Sequence, residues 1–460
     1  MQTAVAARYP RFLTGLQALV DLDCGSPDKA GVDAAGRLVQ ARLEEGGWSV
    51  QRLADDRWGD TLVATVTGGL VGGRHVLLMA HLDTVFDVGT AAARPFQIVG
   101  DRAYGPGVTD CKAGVLAGLT AVEALREVAW DSVGRLTFVL TPDEEVGSPS
   151  SRGHLQAAAR DADVALCLEC ARANGDLVAA RKGVVDLLVE IHGRAAHAGI
   201  EPEKGINAAL DAALTTVALQ ELNGHWPGVT VNVGVLQAGS RPNVVCPEAR
   251  LEVDVRAVSL ESFERAVAEV ERVAAVVRVP GIAKSVIRTS SHPPMELTDA
   301  SAAVVAVALG VAAELGIVTA ACATGGAADA NTTSAMGIPT LDGLGPVGGD
   351  DHSPAEWLDL TSITPRVTLL AGLIARLSTA PDLAGSSTGD SVTPSSVSTG
   401  SSAASSVPVG TDSAGSVTAG SSTAGSVTAG SSTAGSSTAG SSTAGSSTAG
   451  SVLAATVCAG

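Results

Sequence analysis

Aromatic side chains are scarce: Phe, Trp and Tyr together make up 3% of the 460 residues. A core must therefore be built from Val, Leu, Ala and Ile, and a hydrophobic content of 45% supplies enough of them for two domains or more. Basic residues are also few. Thirty Lys and Arg face 48 Asp and Glu, a formal net charge of −18. No basic stripe is present to displace counterions, so nucleic acid is not an expected partner. The acidity says little about substrate, because acidic surfaces commonly serve solubility. Disulfide spacing is absent too. Seven cysteines, an odd and scattered set (Cys24, Cys111, Cys167, Cys170, Cys246, Cys322 and Cys458), form no framework and fit a reducing, cytoplasmic setting. No apolar run approaches the roughly 18–20 residues that cross a bilayer. Residues 1–22, with Arg8 and Arg11, read as one amphipathic helix without the continuous apolar stretch of a signal peptide. No membrane partner is expected.

Composition breaks after about Leu377. Beyond it the chain is Ser, Thr, Gly and Ala without Lys or Arg, and from about Gly415 it repeats every five residues. Such a segment has too few large apolar groups to offset chain entropy, so 378–460 is expected to be a disordered tail. A short period could alternatively stack into a fibre or coil.

The rest alternates strand and helix. Strands are predicted over 74–80, 135–141 and 163–168, with a helix over 113–128. That order implies a mainly parallel sheet with helices on both faces. From about Lys182 the order becomes β-α-β-β-α-β: strand 184–191, helix 204–222, strands 229–236 and 249–255, helix 260–277, strand 285–289. This is the ferredoxin-like signature. After Pro293-Pro294 the α/β style resumes. The expected class is α/β: a catalytic domain in two parts (1–181 and 292–377) around an inserted α+β domain (182–291).

Polar residues gather where open α/β sheets place ligands, at the carboxyl ends of strands. His81-Leu-Asp83 follows the first strand. Asp110 lies in Gly105-Pro-Gly-Val-Thr-Asp-Cys-Lys112, just before a helix. Glu144-Glu145 follows the strand ending at Thr141, Glu169 follows Leu168, and His352 sits in Gly348-Gly-Asp-Asp-His-Ser353. Two imidazoles and several carboxylates suit zinc. A lone buried His or a single Glu-Glu pair would carry no weight, since each is ordinarily structural or solvated. Five such residues, each ending an apolar strand or sitting in a Gly-rich loop, point to a metal site.

These motifs, with Arg194-Ala-Ala-His-Ala-Gly199, Pro202 and Asn207, resemble the zinc aminoacylase and carboxypeptidase family, its glutamate carboxypeptidase branch most. That family includes acetylornithine deacetylase and succinyl-diaminopimelate desuccinylase. The resemblance runs from about residue 10 to 377. It implies that His81 and Glu169 bind one zinc, that Glu145 and His352 bind a second, and that Asp110 bridges them. Only a carboxylate spans ions roughly 3.5–4 Å apart in this way. It further implies that cobalt can replace zinc, that Asp83 accepts a hydrogen bond from the His81 ring, and that Glu144 is the general base.

By the same resemblance Arg181, Asn243, Arg256 and the backbone of Gly325 and Gly326 bind polar ends of the substrate, including its carboxylate, for which a guanidinium fork is suited. His197 acts from a partner subunit on the oxyanion, which implies a homodimer whose inserted domain closes over substrate. The bland alternatives are a strand-end surface charge for Arg256 and a loop histidine for His197. Cys111 stands where the family often has Met and reads as a small buried hydrophobe, or as a soft extra ligand. Cys167 and Cys170 read as packing, and His75, His154, His192, His225 and His292 as surface or structural. Asp350-Asp351 is more acidic than expected; it is surface charge, or it strengthens metal binding or repels anions.

The expected activity is hydrolysis of the amide bond in a small N-acyl amino acid or dipeptide, releasing an amino acid with a free carboxylate. A deacetylase or desuccinylase is the alternative within the same chemistry, and a ligand-binding relative that has lost catalysis is the alternative outside it.

Overall fold

The computed structural model describes residues 1–380; the repetitive segment, with Cys458, lies outside the described residues. A six-stranded sheet runs in the order Ser49–Leu53, Thr61–Thr67, Arg135–Thr141, His75–His81, Val164–Cys167, Thr340–Leu341. The last three junctions are parallel and the first two antiparallel. The strand His75–His81 is buried at every position, as a parallel strand covered on both faces must be. Helices Tyr9–Val20, Lys112–Val128 and Ile363–Thr379 supply much of the covering. Phe12, Leu16, Leu125, Leu370 and Ile374 are fully buried in the main core with Leu78 and Phe138.

Gly114 sets how closely the helix Lys112–Val128 approaches the sheet. A Cβ there would stand 1.9 Å from the carbonyl oxygen of Leu168, so only glycine lets the helix start beside the end of the strand Val164–Cys167.

Residues 183–292 form their own four-stranded antiparallel sheet, in the order Thr230–Ala238, Glu248–Ala257, Gly183–His192, Ala283–His292. In chain order that is second, third, first, fourth, the ferredoxin-like arrangement. Alternate residues Val185, Leu187, Val189 and Ile191 pack in a separate core with Phe263, Val267 and Val270 of the helix Leu260–Ala275 and Ala208, Ala212 and Leu219 of the helix Ala208–Gln220.

Several boundaries differ from the sequence reading. The amino-terminal helix is two, Gln2–Ala6 and Tyr9–Val20, with Pro10 in the first turn of the second, where its missing N–H costs nothing. The helix expected from 204 begins at Ala208, after a single 3-10 turn over Pro202–Lys204 and an Asn207 cap that accepts from Leu210 N. The final helix extends through Thr379, two residues into the stretch assigned to the tail. Together with the turn before it, Leu360–Thr379 is apolar and long enough to cross a bilayer, but its most apolar window is 61% buried in the fold; it is a core helix. The helix Lys29–Glu45, the hairpin of Ser49–Leu53 with Thr61–Thr67, and a small sheet in the order Gly348–Gly349, Trp357–Asp359, Arg102–Tyr104, Gln97–Val99 were not foreseen.

Candidate active site

Three parallel strands end on one edge, and each delivers a ligand-type side chain there. His81 closes its strand. Glu144 and Glu145 occupy a 3-10 turn just beyond Thr141, and Glu169 lies two residues beyond Cys167. Asp110 arrives from the turn preceding the helix Lys112–Val128, whose Gly107 has φ +72, a region L side chains avoid. His352 arrives from the loop between Gly349 and Trp357. The small sheet pairs Trp357–Asp359 with Arg102–Tyr104 and so draws that loop to the Asp110 turn.

Asp110 lies between the two imidazoles. Asp110 Oδ1 stands 2.9 Å from His81 Nε2, and Oδ2 stands 3.2 Å from His352 Nε2. On the first side Glu169 Oε1 is 3.6 Å from His81 Nε2; on the second Glu145 Oε2 is 3.0 Å from His352 Nε2. The structure brings His81, Asp110, Glu145, Glu169 and His352 together, and His81, Asp110 and Glu145 have ligand atoms within 4.8 Å of one another.

Electrostatics explain why cations belong here. Burial pushes Glu169 up to about 7 and Glu144 well above the ordinary glutamate range. Burial acts upward on Asp110 too, but its bonds to His352 and His81 hold it far below the usual carboxylate value. Bonds to Asp110 and Glu145 raise His352 to about 11. Five carboxylates, counting Asp83, share two imidazoles. A cation held among them would favour their charged forms, and an N/O donor set of this kind fits zinc.

Asp83 meets the imidazole through its main chain as well as its carboxylate. His81 Nδ1 donates to the main-chain carbonyl of Asp83 at 3.0 Å, which fixes the tautomer that leaves Nε2 free for a cation. The Asp83 carboxylate also accepts from Glu144 N (Oδ1, 3.2 Å), Glu145 N (Oδ2, 3.2 Å) and Ser26 Oγ (Oδ2, 2.7 Å). It holds the glutamate pair, and its Oδ1 also stands 3.4 Å from His81 Nδ1.

Glu356 was missed by the sequence reading. It is 1% exposed, and its Oε2 accepts from Gly107 N at 2.8 Å while Oε1 accepts from Thr109 N at 2.9 Å and Asp110 N at 3.1 Å. A carboxylate four residues beyond His352 thereby clamps the turn that carries Asp110. Nothing local marks it, except its place after the His352 motif. Asp329 was missed as well; it is buried and accepts from Thr141 Oγ1 and Ser148 Oγ at 2.6 Å each, on either side of the glutamate pair.

A cleft of about 600 Å³ opens from the cluster and is lined by Glu144, Glu145, Glu169, Arg172, Arg181 and Arg256, among others. Arg181 and Arg256 are already engaged. Arg181 Nε donates to buried Asp342 at 2.6 Å and Nη1 to the carbonyl of Gly326 at 3.1 Å. Arg256 Nε donates to Asp254, and Nη1 to the carbonyl of Gly325 at 2.9 Å. Carbonyls of the two glycines, rather than their N–H groups, face the arginines. His292, expected to be incidental, is 7% exposed and lines the cleft. Arg152 Nη2 donates to its Nε2 at 2.9 Å; burial, then the Arg152 charge, lowers it to about 4.

His197 and Asn243 do not reach the cleft of their own chain. They are exposed and adjacent: Ala198 N donates to Asn243 O at 3.0 Å, and His197 bridges Val244. Cys111 is fully buried; its Sγ donates to Leu168 O at 3.2 Å and lies within 4.8 Å of ligand atoms of His81 and Glu169. Cys167 and Cys170 are buried free thiols. Asp350 accepts from Trp357 Nε1 at 3.0 Å, whereas Asp351 lines the cleft.

Residues 77–376 match the model of peptidase family M20/M25/M40, and carboxypeptidase G2 of Pseudomonas sp. (strain RS-16) is 32% identical over 379 residues, covering 81% of this chain and 91% of that protein. The chain belongs to peptidase family M20/M25/M40. It is therefore a hydrolase of a metallopeptidase and amidohydrolase family. Acetylornithine deacetylase of Myxococcus xanthus is 30% identical over 274 residues, 56% of this chain and 69% of that one. The fold is shared with an M20 family metallo-carboxypeptidase from Sulfolobus solfataricus, TM-score 0.66 at 14% identity, covering 80% of this chain and 99% of that one.

Proposed function

We propose that this M20 protein is a dinuclear zinc hydrolase of amide bonds in small N-acyl amino acids or dipeptides, releasing an amino acid with a free carboxylate. One observation carries the reading: a single carboxylate, Asp110, turns one oxygen to His81 and the other to His352. Glu169 completes the first set and Glu145 the second. When bound, the metal pair would supply Lewis-acid polarisation of the scissile carbonyl and lower the pKa of the attacking water.

Glu144 lies beside both sets without bonding either imidazole. Burial keeps its proton affinity high, as suits a group that takes a proton from water and gives it to the departing amine. Arg181 and Arg256 line the same cleft and offer positive charge for the substrate carboxylate, a preference the likeness to carboxypeptidase G2 supports. The buried free thiols among the described residues fit a reducing cytoplasm.

Residues 182–291 act as a lid and dimerisation domain. Leu210, Leu214 and Val217 are 50%, 43% and 57% exposed on one face of the helix Ala208–Gln220, beside the edge strand Thr230–Ala238. An apolar stripe next to an open edge is a surface that a second copy would cover. In such a homodimer His197, with Asn243, serves the partner's cleft and steadies the oxyanion.

Metal analysis separates this reading from a non-catalytic binder, which would hold no metal pair and hydrolyse nothing when loaded with zinc or cobalt. Glu144→Ala should keep its metal and lose at least about a hundredfold in kcat; near-normal turnover would refute the assignment. Comparing folyl-glutamate and N-acyl-glutamate with N-acetylornithine distinguishes the carboxypeptidase reading from the deacetylase. Mixing Glu144→Ala with His197→Ala should restore up to about one quarter of wild-type activity, because half the dimers are hybrids with one intact site of two. No recovery would remove the shared site.

A further inference from the structure

The chain crosses between the main domain and the inserted domain twice, and the two crossings run side by side. On the main-domain side Arg181 N donates to Met295 O at 2.9 Å and Met295 N to Arg181 O at 3.0 Å. On the inserted side His292 pairs with Val184. Between these pairs lie Lys182-Gly183 and Pro293-Pro294. The two prolines have no N–H to donate, so the ladder between the crossings is interrupted there. Asn331, 0% exposed, pins the interruption: its Nδ2 donates to Lys182 O at 3.1 Å and to Pro293 O at 2.8 Å. A break in pairing held at one point has the form of a hinge.

Arg152 reaches across this hinge. It opens the helix Arg152–Ala159 of the main domain. Its Nη1 donates to Ser291 O at 2.7 Å and its Nη2 to His292 Nε2 at 2.9 Å, both at the end of the strand Ala283–His292 of the inserted domain. The same Nη2 donates to Gly147 O at 2.8 Å. Gly147 closes the 3-10 turn Glu144–Val146 with φ +87, and a Cβ there would stand 3.1 Å from His292 Nε2. Glycine thus ends the turn and lets the imidazole lie against it. One guanidinium holds the last residues of the inserted domain and the end of the turn that presents Glu144 and Glu145. Its bonds go to carbonyls and an imidazole. A planar fork with fixed N–H directions passes a shift at one partner on to the other.

We propose that Arg152 is a positioning residue for the reaction: it ties the placement of the Glu144–Glu145 turn to that of the inserted domain, across a hinge pinned by Asn331. The inference rests on the amide-hydrolase reading above and deepens it, naming the route by which the inserted domain acts on the proton-transferring glutamate.

The test uses the zinc-loaded full-length protein and the best substrate among folyl-glutamate, N-acetyl-glutamate and N-acetylornithine. Arg152→Met should keep wild-type zinc content and lower kcat at least about tenfold, as a displaced reacting group does. Arg152→Lys, which can still donate to one carbonyl, should lose less. Asn331→Ala, which frees the hinge, should lower kcat by a factor similar to Arg152→Met. Because both residues act on one element, the double variant should lie within about threefold of the slower single variant. Losses that multiply to about a hundredfold, or that follow zinc content, would overturn the tie. Hydrogen exchange tests it independently of turnover. Arg152→Met should speed exchange in both 144–148 and 288–292 and leave 76–80 unchanged. Faster exchange at one end alone, or at neither, would overturn the tie in a protein that still hydrolyses its substrate. Hydrolysis of none of the three by wild type would remove the hydrolase reading and the role in the reaction together, and exchange would still decide the tie.

Discussion

Asp83→Asn tests whether this carboxylate works through the glutamate pair or through the imidazole. The structure gives it three close donors, Glu144 N on Oδ1 and Glu145 N with Ser26 Oγ on Oδ2, and sets His81 Nδ1 farther off, 3.4 Å from Oδ1. Asparagine fills the same volume but offers one oxygen and one NH2. With the oxygen in the place of Oδ2, Glu145 N and Ser26 keep their acceptor, and Glu144 N meets a donor. With the amide flipped, Ser26 can rotate to accept, but Glu145 N meets a donor. In either orientation one backbone N–H of the pair is orphaned in a site where Asp83 itself is 0% exposed. A hydrogen bond to a charged acceptor contributes about 1.5–3 kcal/mol net, and a buried unsatisfied donor costs about 1–3 kcal/mol. A loss of about 2–3 kcal/mol in apo stability follows. Urea denaturation should show it as a lower midpoint with unchanged slope. Because the turn carrying Glu145 is loosened while the His81 tautomer remains fixed by the Asp83 main chain, the proposed metal at Glu145 and His352 should weaken about 10–100-fold. The His81–Glu169 side should keep its affinity, so chelator competition should become biphasic. Equal weakening of both metals would locate the function of Asp83 at the imidazole, and an unchanged midpoint would refute the hydrogen-bond accounting.

Glu356→Ala leaves Gly107 N, Thr109 N and Asp110 N without their acceptor and should lower metal affinity about 10–100-fold; the cobalt-loaded visible spectrum would register a displaced Asp110, and an unaltered spectrum and affinity would exclude the clamp. His292, lowered to about 4 by burial and Arg152, is neutral in the fold where the unfolded chain, near 6.5, is protonated. Stability from this group is therefore complete above pH 6.5 and lost as pH falls toward 4, by about 3 kcal/mol at most. His292→Gln should flatten that part of the stability–pH curve relative to wild type, and parallel curves would refute the assignment.

What the sequence disclosed about this site was whatever a strand end could announce. An apolar run that stops at His81, or two or three residues short of Glu144 and Glu169, places those side chains at the carboxyl edge of a parallel sheet, because the fold class offers little other place for them. Asp110 announces itself through glycines a tight turn requires. The groups that hold these residues in position lack such a signature. Glu356 is one acid between Ala355 and Trp357, and its function is defined by three N–H groups about 250 residues away, delivered by a sheet of two- and three-residue strands too short to leave a period in the sequence. Arg181 reads as an available guanidinium until the parallel pairing of Leu177–Arg181 with Ala321–Thr324 sets it between Asp342 and the carbonyl of Gly326. The same asymmetry divides the two cavities. Arginines draw attention in any sequence, so the cleft was foreseen. Val85, Val88 and Val146 are unremarkable valines, and only the fold brings them to a second recess beside Glu145. Ligand identity is thus local information carried by residue type and strand end, whereas positioning and selectivity depend on long-range pairings that residue type alone does not encode.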